Sequence, residues 1–462
     1  MSLRAFFIVY IFPALPQHVC YRSLLENVNM SNRFQVRTVK FESGERFPLL
    51  IDRASGLPLF EPTIFLATQM RSAGLATATM TQAARAIMVG LQILEHQSVD
   101  FSARLREGRL LDLGEITELT EKMYLTQEQI DSLTSASSSD RETSKVISIK
   151  RPSRWLQSIP RSDLVNRGTV GVRLIYFRDY LSWLTKRFIL SQKINSSSAE
   201  RLLLIHENFR DSISERIPRD RGRSTQGARE GLTADVVQRV FGVIDQASLE
   251  NPWKNKHARA RNELIFNLLH SLGIRRSEAL ILELSDFNFR LNEVLIARRP
   301  DDPMETRRDA PNTKTKDRLL PLSTELAAMV RNYITKFRSR IPAAKKHGKL
   351  LVATGSGSPL SKSAMNKIFV ELRTRVPELP VELHPHILRH TWNENFSAVM
   401  TKNKVSHEDE MRMRNQQMGW SDNSKVAAVY LKRYIREEAN KASLEMQKKT
   451  YSKKDKDEKS GG

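Results

Sequence analysis

The chain has 462 residues, enough for two or three domains, and carries 74 Lys and Arg against 52 Asp and Glu, a net charge of +22. Such an excess points to a polyanionic partner, nucleic acid before a membrane surface, and leaves the fold open. The single cysteine, Cys20, excludes an intrachain disulfide and fits a reducing cytoplasm; no Cys/His spacing reads as a zinc site.

In chain order, the first feature is an apolar run, Phe6 to Ile11. It is too short to span a bilayer, and Met30-Ser31-Asn32 reads like an ordinary soluble start. Residues 1–29 are therefore expected to be an over-extended start or a disordered leader. Residues 34–52 alternate weakly and predict a short hairpin. Pro58 and Pro62 mark a boundary, after which residues 62–135 predict helices. One carries Ile64, Phe65, Ala67 and Met70, a second Ala83 to Leu94, a third Ile116 to Tyr124. Thr79 is placed to cap the second. Residues 132–142, rich in Ser, predict a flexible surface segment.

A further helix is read through Val172, Leu174, Ile175, Phe177, Tyr180, Leu181 and Leu184, with Arg173, Arg178, Lys186 and Arg187 interleaved. Its setting favours a nucleic-acid surface over a merely solvated face: residues 141–230 hold 19 Lys/Arg against 9 Asp/Glu. Residues 211–232, with Arg221 and Arg223, predict a basic linker whose cations follow a phosphate backbone. Leu264, Ile265, Leu268, Leu269 and Leu272 then form a helical stripe ending at Gly273. Ala279 to Leu284 predict a buried helix, residues 287–322 strands, and the rest mainly helices up to a polar, disordered tail at 447–462. The division expected is a leader and small segment (1–55), a helical DNA-binding domain (56–215), the linker (216–232), a compact domain (233–446) and the tail. The fold class is mainly α with a small β-sheet.

Four short stretches and a tyrosine carry the chemistry. Gly273-Ile274-Arg275-Arg276-Ser277-Glu278-Ala279-Leu280 comes first, then Asn312 to Leu322 with Lys314 and Lys316, then His384-Pro385-His386-Ile387-Leu388-Arg389-His390. Met418-Gly419-Trp420-Ser421 and Tyr430 follow. Arginine forks match phosphate oxygens bidentately and stay charged. Histidine donates to a phosphate oxygen or moves a proton near neutral pH. Tyrosine is among the side chains that form covalent intermediates. His384, His386 and His390 lie close in sequence, but no acidic residue completes a familiar metal spacing, so no metal is expected.

In this order and number, the motifs resemble those of the tyrosine recombinases, the phage-integrase family. The resemblance covers roughly residues 231–440, and more loosely the helices at 60–215, which are similar to the family's core-binding domain. It implies Arg275 and Arg389 as the arginines on the scissile phosphate, with Arg276 as the rival of the first. Lys314, in preference to Lys316, would protonate the leaving 5′ hydroxyl. His386 would steady the tyrosine or a phosphate oxygen. Trp420 stands where the family usually has histidine; its indole N–H donates a hydrogen bond but moves no proton. Tyr430 is the implied nucleophile, with Tyr434 one helical turn on as the alternative. Glu278 and His390 are assigned to structure. The stretch from Arg389 to Trp420 is longer than usual, and the surplus, within 401–417, is expected to be a polar helix or loop.

The resemblance further implies a C-shaped clamp on double-stranded DNA and a homotetramer acting on two specific recombination sites. No cofactor is implied, and an accessory or directionality factor is possible. The activity implied is site-specific integration or excision of a mobile element through a 3′-phosphotyrosine. The alternative is a non-catalytic DNA-binding regulator on the same fold.

Overall fold

The computed structural model describes residues 33–136, 160–190, 196–218, 231–313, 315–421, 424 and 439–448. The chain divides into two compact units with the boundary at Arg221/Gly222; residues 41–45 group with the second. Helix dominates both, with one small sheet in each, as the composition of helical stripes and short strand runs predicts. Among the described residues no helix is long and apolar enough to cross a membrane.

In the first unit, strands β1 (Phe34–Lys40) and β2 (Arg46–Asp52) pair antiparallel from Phe34↔Asp52 to Lys40↔Arg46. Helix α1 (Phe60–Phe65) runs on as a π-helical turn to Arg71, so Pro62 lies inside a first helical turn, where proline is tolerated, and not at a boundary. Helix α2 (Thr77–His96) is the centre of the unit and buries Met80, Ala83, Ala84, Ile87, Ile93 and Leu94. Its start corrects the expected cap at Thr79: the helix begins at Thr77 after an extended Ala76. The Thr77 hydroxyl donates to the Arg46 carbonyl at 2.9 Å, so contact with the hairpin sets the helix start. Both hairpin strands group with this unit.

Helices α3 (Phe101–Arg106), α4 (Leu113–Lys122) and α5 (Gln127–Ala136) follow. Asp112 caps α4 in a capping box with Glu115, satisfying two otherwise orphaned amides. The expected flexible segment at 132–142 begins late, because α5 continues to Ala136. Asp131 anchors it in the interior, accepting from Gln92 at 3.1 Å and Gln127 at 2.8 Å. The remainder of that segment, 137–142, lies outside the described residues.

Helix α6 (Arg167–Leu190) buries Leu174, Phe177, Leu181 and Leu184 along one stripe against α2. Gly90 permits this approach: a Cβ there would meet the Phe177 ring at 2.3 Å. Helix α7 (Ser196–Ser214) packs on α6 and buries Ile213, so the expected linker at 211–232 starts inside a helix. Residues 219–230, with Arg221 and Arg223, lie outside the described residues, as do the leader and the final 449–462.

The second unit is built around α9 (Lys256–Leu272), which follows α8 (Ala234–Ile244). Its predicted stripe is buried along its whole length, and Phe266 stacks on Phe369 at 4.3 Å. Gly273 ends α9 in the left-handed region at φ +58, where a side chain is strained. After the short α10 (Arg276–Ile281), strands β3 (Phe287–Asn288), β4 (Glu293–Ile296) and β5 (Arg318–Pro321) form an antiparallel sheet in the order β3-β4-β5. Ile296 pairs with Arg318, so everything from 297 to 317 is one long connection at the end of a two-strand ladder. It carries a buried ion pair, Glu305 with Arg307, and Arg307 also donates to the carbonyls of Leu280 and Leu360 at 3.0 and 2.8 Å. Helices α11 (Thr324–Asn332), α12 (Lys362–Arg375), α13 (Pro385–Lys402) and α14 (His407–Met418) complete the unit.

Candidate active site

The site forms where the ends of α9, α10 and α13 meet strand β5. Its hub is Glu278, with no exposed side-chain surface. Helix α10 places it: Arg275 is the extended N-cap residue, and its N–H donates to Glu278 Oε2 at 2.7 Å. The same carboxylate is reached by Arg275 Nη1 at 3.3 Å, by Arg318 Nη2 from β5 at 3.0 Å, and by the Thr315 hydroxyl at 2.6 Å. Arg389 Nη1 lies 3.8 Å away. Burial alone would raise the Glu278 carboxyl. The cationic Arg318, Arg389 and the hydrogen bonds of Arg318 and Thr315 outweigh it and hold the group near 2, well below the usual carboxylate range. Glu278 is therefore an anion at any physiological pH.

Arg389 is itself buried, on the second turn of α13. Its Nη1 donates to the Gly273 carbonyl at 2.6 Å, the group freed where α9 ends, and its guanidinium lies 5.3 Å over the Trp420 ring. Trp420 follows Gly419, which closes α14 in the left-handed region at φ +65. The indole packs with Met418, Trp392 and Met411. The start of α13 explains the three histidines. His384 is the N-cap, with Nδ1 accepting from the Ile387 N–H at 3.0 Å, and Pro385 takes the first helical position. His386 is exposed one turn before Arg389, its ring 4.6 Å from that of the buried His390. No cluster of His, Cys, Asp or Glu suited to a metal occurs among the described residues.

A cleft of about 650 Å³ opens beside these groups, lined by Arg275, Arg276, Arg373, Asn366, His384 and His386 among others. Arg275 is about one-third exposed there, while Arg276 donates outward to Asn366 at 2.7 Å. Arg275 touches the hub and Arg276 does not. The N-terminus of an 18-residue helix, two histidines and three guanidinium groups give the cleft the character of an anion site.

Lys314, Tyr430 and Tyr434 lie outside the described residues, so the acid and nucleophile expected from the sequence have no geometry here. The residues flanking Lys314 do. Thr315 is bonded to Glu278, and the Lys316 N–H donates to the Gly419 carbonyl at 3.0 Å. Thr315 and Arg318 were missed as site residues. The only sequence signal for them is an arginine at an inward position of β5, four residues after the lysine.

The surplus before Trp420 is a polar helix, α14, as expected, and Arg414 and Glu410 form a buried ion pair on it. Arg414 also donates to the Asn393 carbonyl at 2.8 Å and to Ser397 Oγ at 2.6 Å. In the first unit, Arg173 turns inward and donates to the carbonyls of Met123 and Leu125, both at 2.7 Å, and burial lowers its pKa. Arg178 is engaged by Asp179 and Ser214, and Arg187 lies against Glu61, Phe60 and Trp183. Lys186 is exposed.

A mainly helical unit with a three-stranded sheet thus gathers three arginines, Arg275, Arg318 and Arg389, on one buried carboxylate beside a cationic cleft. Residues 230–436 match the model of the phage integrase family. Over 170 residues the chain is 29% identical to tyrosine recombinase XerC of Brucella melitensis, covering 37% of this chain and 47% of that protein. Over 192 residues it is 24% identical to tyrosine recombinase XerD of Halalkalibacterium halodurans, covering 41% and 55%. The chain spans about half the length of these relatives. Among solved structures, it is similar to the Tn1549 transposon integrase in complex with transposon right end DNA, at 14% identity and a TM-score of 0.46. That match covers 84% of this chain and 99% of that one.

Proposed function

We propose that the protein is a site-specific DNA recombinase that cleaves and rejoins double-stranded DNA through a 3′-phosphotyrosine. The observation that carries this reading is the meeting of Arg275 and Arg389 at Glu278, 3.3 and 3.8 Å from its carboxylate, with Arg275 facing the cleft. A buried anion shared by these two guanidinium groups and that of Arg318 fixes them before substrate arrives. Preorganised charge of this kind needs no reorganisation as charge grows on the phosphate oxygens.

In this reading Arg275 and Arg389 neutralise the scissile phosphate, His386 donates to one of its oxygens, and the Trp420 indole adds a further N–H. The Tyr430 oxygen attacks phosphorus, the bond to the 5′ oxygen breaks, and Lys314 supplies the proton that leaves with that oxygen. The ester keeps the bond energy, so a 5′ hydroxyl from a second duplex reverses the step without a nucleotide cofactor. Lys186 and the cations of the linker, Arg221 and Arg223, would track the backbone. The full assembly would be a homotetramer on two sites in the cytoplasm, integrating or excising a mobile element. The two-site requirement supplies the test. A plasmid carrying two copies of the target sequence should yield recombinant circles, and a plasmid with one copy should not. Relaxation of a one-site plasmid without recombinants would replace recombination with topoisomerase action.

A further inference from the structure

Residues 315–318, which follow Lys314 in sequence, are fastened by contacts unrelated to the strand ladder. Before β5 begins, Thr315 gives its hydroxyl to Glu278 at 2.6 Å, and Lys316 gives its N–H to the Gly419 carbonyl at 3.0 Å. Arg318, the first residue of β5, continues the seam. It bridges Glu278 at 3.0 Å and the Gln417 carbonyl at 2.7 Å. Gly419 is required for the approach: a Cβ there would come within 2.8 Å of the Lys316 carbonyl and 3.1 Å of Thr315 Cβ. The end of a 21-residue connection between β4 and β5 is thereby seated on the same carboxylate that orders the two arginines.

We infer that Thr315 is a positioning residue for the proton donor of strand cleavage: its bond to Glu278 sets where the lysine beside it sits relative to the leaving oxygen. This rests on the strand-transfer reading above. The distinction from a general structural role lies in which bond-breaking step suffers. In cleavage the tyrosine O–P bond forms, the P–O5′ bond breaks, and the departing oxygen takes a proton from the donor. An alkoxide leaving group needs that proton, whereas a thiolate does not, since thiols ionise near neutral pH. A buried hydroxyl that mattered only for packing, or only for the arginines, would slow both leaving groups alike.

The test uses the full chain and a duplex bearing the sequence recovered from its covalent adducts, made with either oxygen or sulfur bridging phosphorus to the 5′ carbon. Thr315→Val keeps the shape and removes the hydroxyl; Thr315→Ser restores it. The expected result is about tenfold to a hundredfold slower cleavage of the oxygen substrate by Thr315→Val, as for a donor displaced by up to about an ångström. On the sulfur substrate Thr315→Val should match the wild type, and Thr315→Ser should match it on both. Unchanged affinity for the duplex shows that the variant is folded. If Thr315→Val loses that affinity, Thr315→Ala carries the same comparison in a smaller side chain. Equal slowing on both substrates, or none on either, would overturn the assignment. A wild-type protein that cleaves neither substrate contradicts the strand-transfer reading itself, and the inference falls with it.

Discussion

Glu278 and Arg318, forty residues apart in sequence, form an ion pair 3.0 Å long in which neither side chain is more than 6% exposed. The pair joins the first helical turn after Gly273 to the edge strand β5, and both arginines expected on the phosphate lean on it. Removing one partner of such a pair leaves a buried charge uncompensated, which typically costs about 3–5 kcal/mol.

The depressed Glu278 carboxyl gives a pH signature. Its folded value near 2 lies below the ordinary 4.5, so its contribution is fully present above pH 4.5 and is lost as pH falls toward 2. A shift of this size corresponds to about 3 kcal/mol. Glu278→Gln should be less stable than wild type by about that much at pH 7. Denaturant melts at pH 7, 5, 4 and 3 should show the gap constant down to about pH 5 and narrowing below it. A constant gap at every pH would mean that Glu278 is not held ionised.

The two arginines differ in burial, and their variants should differ accordingly. Arg275→Ala removes a one-third exposed side chain and should slow adduct formation about 10²–10³-fold with little change in melting. Arg389→Ala should slow it as much and also destabilise the fold, because Arg389 is buried against Gly273 and Trp420. Parallel measurement of single-turnover rates and denaturant midpoints checks both. An Arg275→Ala protein cleaving at the wild-type rate would remove that residue from the phosphate.

Arg173 and Lys186 share a helix and a charge, yet opposite outcomes are expected. Arg173→Ala breaks two hydrogen bonds to carbonyls and should lower stability by about 1–3 kcal/mol. The salt dependence of DNA binding should stay unchanged. Lys186→Ala should leave stability alone and reduce the slope of log affinity against log salt by about 1. Fluorescence anisotropy over a salt series separates them; a reduced slope for Arg173→Ala would restore it as a phosphate contact.

What was legible in the sequence follows from what a motif can encode. Gly273 ending α9, Arg275 at the start of α10, and His386 and Arg389 on one helix are local relations, and each is found in place. Glu278 was correctly read as structural, but its partner Arg318 comes from a distant strand, and no local pattern names it. The carbonyls that Arg173 meets were not legible, because helical charge spacing shows which residues flank a stripe and not whether a carbonyl waits opposite. Glu410 and Arg414 are polar by type, and only pairing with Asn393 and Ser397 lets them be buried.

That buried pair makes its own prediction. Arg414→Ala strands Glu410 in the interior and should cost about 3–5 kcal/mol, whereas exchanging Arg412, exposed on the same helix, should cost under about 1. Equal small effects from the two in thermal denaturation would mean that Glu410 is not buried as described.

A tyrosine of this chain that joins covalently to DNA would leave a direct trace. Wild type and Tyr430→Phe are expressed in cells, the lysates are denatured without cross-linker, and DNA attached to the protein is sequenced. Adducts are expected in the wild type alone, concentrated at one sequence, with native DNA binding retained by Tyr430→Phe. No adducts from a wild-type protein that still binds DNA would contradict it.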